Sequence, residues 1–191
     1  MTTPELEGET EFVDAAAFEA WLAERPDGPG TWLRIAKKGT GVTTVSYLEA
    51  LDVALCWGWI DGQKRSKDAT YFLQRFVPRR AKSTWSKVNV AKVAALEAAG
   101  RMQERGWAEV DAAKADGRWD AAYEPASANH VPAELEAALA ASPRARAAWD
   151  ALKAADRFAM SFRVSAGKQA ATRERNAAKF VAMLERGERL R

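Results

Sequence analysis

Cysteine and histidine are almost missing from this chain: its 191 residues contain one of each, Cys56 and His130. A lone thiol excludes an internal disulfide and suits a reducing compartment. One thiol and one imidazole are too few for a His/Cys zinc site, and nothing in the composition asks for a cofactor. A Ser-His-Asp triad would have to recruit His130, and no Gly-x-Ser-x-Gly elbow surrounds Ser83 or Ser86. Long apolar runs are missing too, so no segment reaches the length needed to span a bilayer. The first residues, MTTPELEGETEF, lack the basic and apolar regions of a signal peptide. These absences together predict a cytoplasmic protein without membrane insertion. No repeat of fixed period is visible.

Hydrophobic residues make up 48% of the chain, enough for one large domain or two small ones. The net charge is only +3, but it is unevenly spread. Residues 1–27 carry eight acids against Arg25 alone, and Lys64 to Lys92 carries nine bases against Asp68 alone. Two readings fit: an anionic partner, or internal neutralisation of a basic face by the acidic start. Arg157, Lys168, Arg173 and Arg175 raise the same choice for a second basic face.

Periodicity predicts an α+β protein: a small antiparallel sheet with helices in the N-terminal part, then a helical C-terminal part. The expected divisions are a disordered start over 1–11, an α+β domain over 12–124 with its sheet mostly within 31–80, and a helical subdomain over 130–187. Asp14 caps a helix over 15–24 with Phe18, Trp21 and Leu22 inward. Thr31 to Lys37 alternates as a strand, Leu33 and Ile35 on one face, Trp32 and Arg34 on the other. Ser46-Tyr47-Leu48-Glu49 is a capping box for a helix with Leu48, Leu51 and Leu55 inward, closed by Gly58. Trp59–Arg65 and Ala69–Val77 form a hairpin about Ser66-Lys67-Asp68. Further helices are expected over 86–99, 107–116, from Pro132, from Ser142-Pro143, over 156–166 with Phe158 and Phe162 stacked, and from a Thr172 cap to Gly187. Glu124–Asn129 reads as a linker.

The stretch from Cys56 to Asn89 gathers aromatic, cationic and hydroxyl side chains. Its candidate ligand-binding residues are Trp59, Asp61, Arg79, Arg80, Ser83, Trp85 and Asn89. A strand ending at Pro78 and running through Arg79-Arg80 into a helix start suits an anion, because helix starts offer free N–H groups and partial positive charge. Each residue also has a plainer role. Asp61 is either a cleft carboxylate or a structural one, paired with Arg79 or Arg80 or holding a turn N–H. Glu49 and Asp52, on the preceding helix, could form an acid/base couple with it, but no glycosidase-like or metal-ligand spacing supports one. The tryptophans either stack on a ligand or support the core. Ser83, Ser86 and Asn89 fit helix capping. Cys56, at a helix end, reads as a small buried residue.

The order of motifs resembles the YdeI/OmpD-associated family of bacteriocin-protection proteins. The matching pieces include Gly58-Trp59-Ile60-Asp61-Gly62, Phe76-Val77-Pro78-Arg79-Arg80, Ser83-Thr84-Trp85-Ser86-Lys87-Val88-Asn89, Gly117-Arg118-Trp119, Val131-Pro132 and Ala166-Gly167-Lys168. Trp57 departs from the Phe expected before the second tryptophan, and Asn176 from an expected base. The resemblance implies a cytosolic bacterial protein with a mixed first part, a helical second part and a role against bacteriocins or envelope stress. It names no catalytic residues. The expected function is therefore non-catalytic binding of an anionic small molecule or peptide. A nucleic-acid binder is the alternative, and a small enzyme with Asp61 as general base the third reading.

Overall fold

The computed structural model describes residues 8–125 and 130–188. The chain divides into two compact units, one ending at Ala122 and the other beginning at Tyr123. Of the start expected to be disordered, residues 1–7 lie outside the described residues, as do residues 126–129 of the expected linker.

The first unit runs β1 (Glu9–Thr10), α1 (Ala15–Glu24), β2 (Thr31–Ala36), α2 (Tyr47–Cys56), β3 (Trp59–Ser66), β4 (Tyr71–Pro78), α3 (Lys87–Ala98) and α4 (Glu104–Ala115). Its sheet has the order β1-β2-β4-β3. β4 pairs antiparallel with both β2 and β3, whereas β1 lies parallel to β2. The sheet is thus mixed rather than wholly antiparallel, and Glu9–Thr10 is ordered rather than disordered. Thr31 holds β1 in place: its hydroxyl bonds the Thr10 hydroxyl at 2.8 Å and reaches the Gly8 carbonyl at 3.1 Å. A two-residue strand carries no period to read, so only tertiary contact reveals it.

The alternation expected for β2 is observed. Leu33 and Ile35 face the core, opposite Gln74 and Phe72 of β4, while Trp32 and Arg34 pair with Arg75 and Leu73 on the other face. Four predicted helix starts are also observed. Asp14 accepts from the Ala17 N–H at 2.8 Å, and Ser46 and Glu49 close a reciprocal capping box. Ser86 accepts from the Asn89 N–H, and Ser142 from the Ala145 N–H with Pro143 in the first turn. Gly58 ends α2 with φ of 71°, a left-handed conformation that glycine adopts without strain. Leu48 is the exception on α2. Expected inward, it is 59% exposed, because Ser46, Leu48 and Glu49 of the first turn all face solvent.

The second unit packs α5 (Ala133–Ala140), α6 (Pro143–Asp150) and α7 (Ala154–Ser165) against the long α8 (Ala170–Glu185). Leu135, Leu139, Trp149, Met160, Val164, Ala177 and Leu184 form its core. Phe158 and Phe162 lie 6.1 Å apart, and Tyr123 meets Phe162 edge-on at 4.9 Å. Arg173 is no open basic surface: it pairs with Glu134 at 2.6 Å and donates to the Gly167 carbonyl. Three helix starts differ from expectation. α4 begins at Glu104, α7 at Ala154 and α8 at Ala170, and in each the capping position makes no side-chain bond. Without a capping side chain the start leaves no sequence signal, and packing sets the boundary.

Gly106 shows how tightly α4 meets the end of α2. A Cβ built there would lie 2.1 Å from the Cys56 carbonyl oxygen, an impossible approach to backbone. Gly106→Ala should therefore lower stability by about 3 kcal/mol or more, at the upper end of overpacking costs. Urea unfolding would measure it, and an unchanged midpoint would show that the crossing can open.

Candidate functional site

The candidate residues of β3 are held by separate elements. Trp59 is fully buried, meets Trp21 edge-on, and donates from its indole N–H to the Pro26 carbonyl at 2.9 Å. It supports the loop between α1 and β2. Asp61, half-buried, accepts from the Tyr47 hydroxyl at 2.9 Å. No ion pair joins it to Arg79 or Arg80 among the described residues. Its nearby acids are committed elsewhere. Glu49 serves the capping box, whose bonds hold its carboxyl below the usual range, and Asp52 pairs with Lys92 at 2.6 Å.

The remaining candidates do come together, around the turn that follows β4. Arg79 is 5% exposed, and its guanidinium lies 3.4 Å from the centre of the Trp85 ring. The same group donates to the Thr84 carbonyl at 3.2 Å, closing the segment between them. Within the loop, the Ser83 N–H bonds the Arg80 carbonyl at 2.8 Å, and the Ser83 hydroxyl accepts from the Arg80 N–H at 2.9 Å. Arg118 clamps the outside by donating to the Ser83 carbonyl at 2.9 Å, itself fixed by Asp116. Trp85, 1% exposed, packs against Trp119 at 4.8 Å. Asn89 is buried in the first turn of α3, where its N–H meets the Ser86 cap. This arrangement leaves Arg80 and Lys82 on the exposed side of a backbone fixed from within.

Arg118 and Trp119 were missed as members of this neighbourhood, and Tyr47 as the partner of Asp61. Arg118 acts across 35 positions of sequence, and its one signal was the Gly117-Arg118-Trp119 motif.

Part of the charge asymmetry resolves into internal pairs. Glu9 pairs with Lys67, Glu11 with Arg34 at 3.5 Å, and Asp27 with Arg105 at 2.6 Å. On the sheet, other cations cover rings: Arg65 lies over Trp32, Lys64 over Phe72 and Arg34 near Tyr71. Rings already covered by the chain's own cations are poorly placed to stack on bases, which weighs against a single-stranded nucleic acid on this sheet. Arg80 and Lys82 have neither an acid nor a ring as partner among the described residues.

Cys56 is fully buried, and burial pushes its thiol up to about 11, from an ordinary value of 9.0. Desolvation is the leading cause, since it penalises the thiolate. No group of three or more His, Cys, Asp or Glu residues able to hold a metal is found among the described residues, and no described helix is long and apolar enough to cross a membrane.

Two outcomes follow from this geometry. Arg79→Lys keeps the charge but loses the planar stack and the directed bond to Thr84, so it should cost about 1–2 kcal/mol in urea unfolding; no loss would mean the stack is incidental. Cys56 should resist a disulfide reagent at pH 8 in the native protein and react at once in urea. Below pH 9 burial of this thiol adds no pH dependence. Between about 9 and about 11 the unfolded chain loses the proton while the native one keeps it, so stability should fall as pH rises through that window.

Comparison with known proteins divides the chain in a similar way. Residues 10–109, more than half of it, match a family described as a domain of unknown function (DUF8412). Residues 129–187 match the family described as Bacteriocin-protection, YdeI or OmpD-Associated. No curated protein and no solved structure matches the chain. The resemblance to the YdeI/OmpD-associated family, drawn from motifs along nearly the whole sequence, is thus matched in the helical second part, while the Trp-Ile-Asp and Pro-Arg-Arg motifs fall within the other match. The chain belongs to the DUF8412 family, whose model spans most of its first unit, and residues 129–187 of its second are similar to the YdeI/OmpD-associated family.

Proposed function

We propose that this is a non-catalytic protein of the cytosol, acting against stress or bacteriocins, that binds an anionic small molecule or peptide at the turn bearing Arg80 and Lys82. The observation that carries this reading is the buried Arg79–Trp85 stack. Burying a guanidinium is costly, and here the charge is used to fix the backbone of a surface turn. A turn held by Arg79 from inside and by Arg118 from outside presents its two exposed cations with little ordering left to do on binding. Most neighbouring bases are answered by acids or rings, whereas these two have no such partner among the described residues.

The family description of residues 129–187 supports the protective role, and the buried, protonated Cys56 is compatible with a reducing compartment. Asp61 offers less to an enzymatic reading, because Tyr47 engages one oxygen of its carboxylate and the nearby Glu49 and Asp52 are committed to other partners.

Inorganic pyrophosphate is a suitable probe, since it presents several acceptor oxygens to paired cations. It should raise the melting temperature of the protein saturably. The double variant Arg80→Ala/Lys82→Ala should fold normally and bind it at least about tenfold more weakly, as expected for losing charge-assisted bonds. Asp61→Asn should leave binding unchanged. An equal shift in wild type and double variant would overturn the reading.

A further inference from the structure

The second unit has a hollow of its own. It measures about 250 Å3 and is walled by the segment before α5, by α6 and by the first turns of α7. Close-packed interiors keep few voids larger than a water, and a water's share of liquid volume is about 30 Å3. The hollow is open to solvent rather than an enclosed void, and its volume is that of a small ligand. Trp149, Phe158 and Val131 give it apolar walls, and Ser161, Arg157 and His130 contribute polar ones. Trp149 and Ser161 are both buried. The Ser161 hydroxyl makes no hydrogen bond among the described residues.

The charges of the wall point to the sign of the occupant. Arg146 is shared by Glu136 at 2.8 Å and Asp150 at 3.2 Å, so this cation is already engaged by acids, and of the two acids only Asp150 lines the wall. Arg157 has no ion-pair partner among the described residues, and it leaves one positive charge unanswered. Ala154, the first residue of α7, also lines the space, and no side chain caps that helix. The helix start thus adds N–H donors to a pocket already defined by its volume and by Arg157, while Asp156 in the same first turn offsets its partial positive charge.

We infer that this pocket binds a small carboxylate with an apolar body. The ring or branched chain lies against Trp149 and Phe158, and the carboxylate meets Arg157 and the open start of α7. A cationic ligand would be repelled by Arg157. A neutral apolar one would leave that guanidinium and the Ser161 hydroxyl unanswered, which costs binding. A phosphate, with more charge, would call for more than one available cation. A free organic acid and the C-terminal residue of a peptide share the required chemistry. This site goes beyond the anion-binding turn of the first unit and does not rest on it.

The test uses the full chain, with phenylacetate, phenylacetamide and N-acetylphenylalanine as probes. Calorimetry gives the affinities, and NMR reads the indole resonance of Trp149, assigned through Trp149→Phe. Phenylacetate should bind saturably and move that resonance. Phenylacetamide should bind at least about tenfold more weakly, and Arg157→Gln should weaken phenylacetate by roughly the same factor, since each removes a charge-assisted contact. Arg80→Ala/Lys82→Ala should leave phenylacetate binding untouched, which separates this site from the turn. Tighter binding of N-acetylphenylalanine would identify a peptide C-terminus as the source, and tighter binding of phenylacetate a free acid; either supports the inference. No saturable binding of either acid at millimolar concentration, or phenylacetate binding unaltered by Arg157→Gln, would overturn it.

Discussion

The first unit depends on the burial of α2 from several sides. Ala50, Leu51, Val53, Ala54, Leu55 and Cys56 are all buried in a helix of ten residues. It lies against β3 of the sheet and against α1, α3 and α4. A helix with so little polar surface has to be enclosed, and that requirement arranges its neighbours. Gly106 lets α4 reach the Cys56 carbonyl, and Gly58 turns the chain directly from α2 into β3. The sheet then delivers β4 to Pro78, where the turn with Arg79 and Trp85 begins. Rigidity at that turn is therefore inherited from the core rather than built at the surface.

Charge plays two different parts in this molecule. Several bases of the first unit are settled within the chain, by acids of the first 27 residues or by aromatic rings. Such pairs are half-exposed, and each adds little to stability. Their effect is to remove cations from the surface that a partner would meet. Among the bases without an acid or a ring as partner in the described residues are Arg80 and Lys82 on a fixed turn in one unit, and Arg157 at a partly apolar pocket in the other. These places differ in chemistry, with two solvent-facing cations suiting a more highly charged anion and one cation beside an indole suiting a carboxylate. Two units with distinct family matches can each carry a separate recognition task.

Much of the local structure was legible. The capping box at Ser46, the caps at Asp14, Ser86 and Ser142, and the alternation of Leu33 and Ile35 are readable because each rests on side chains close in sequence. Helix starts at Glu104, Ala154 and Ala170 were misplaced because no side chain caps them. Of the candidate residues, Arg79, Arg80, Ser83, Trp85 and Asn89 share one neighbourhood, whereas Trp59 and Asp61 are held by other elements through Pro26 and Tyr47. Residue type marked all of them as noteworthy, but it does not tell a supporting indole from an exposed one.

The sequence by itself determined the class of fold, the positions of most elements and the region where aromatic and basic groups gather. Periodicity and capping are local, and local rules suffice for them. Only the tertiary structure decided that β1 joins the sheet in parallel, that Leu48 faces water, that the acidic start neutralises particular bases, and which cations remain without an acid or a ring. Those outcomes depend on contacts between residues tens of positions apart, and no window along the chain contains both members of such a pair.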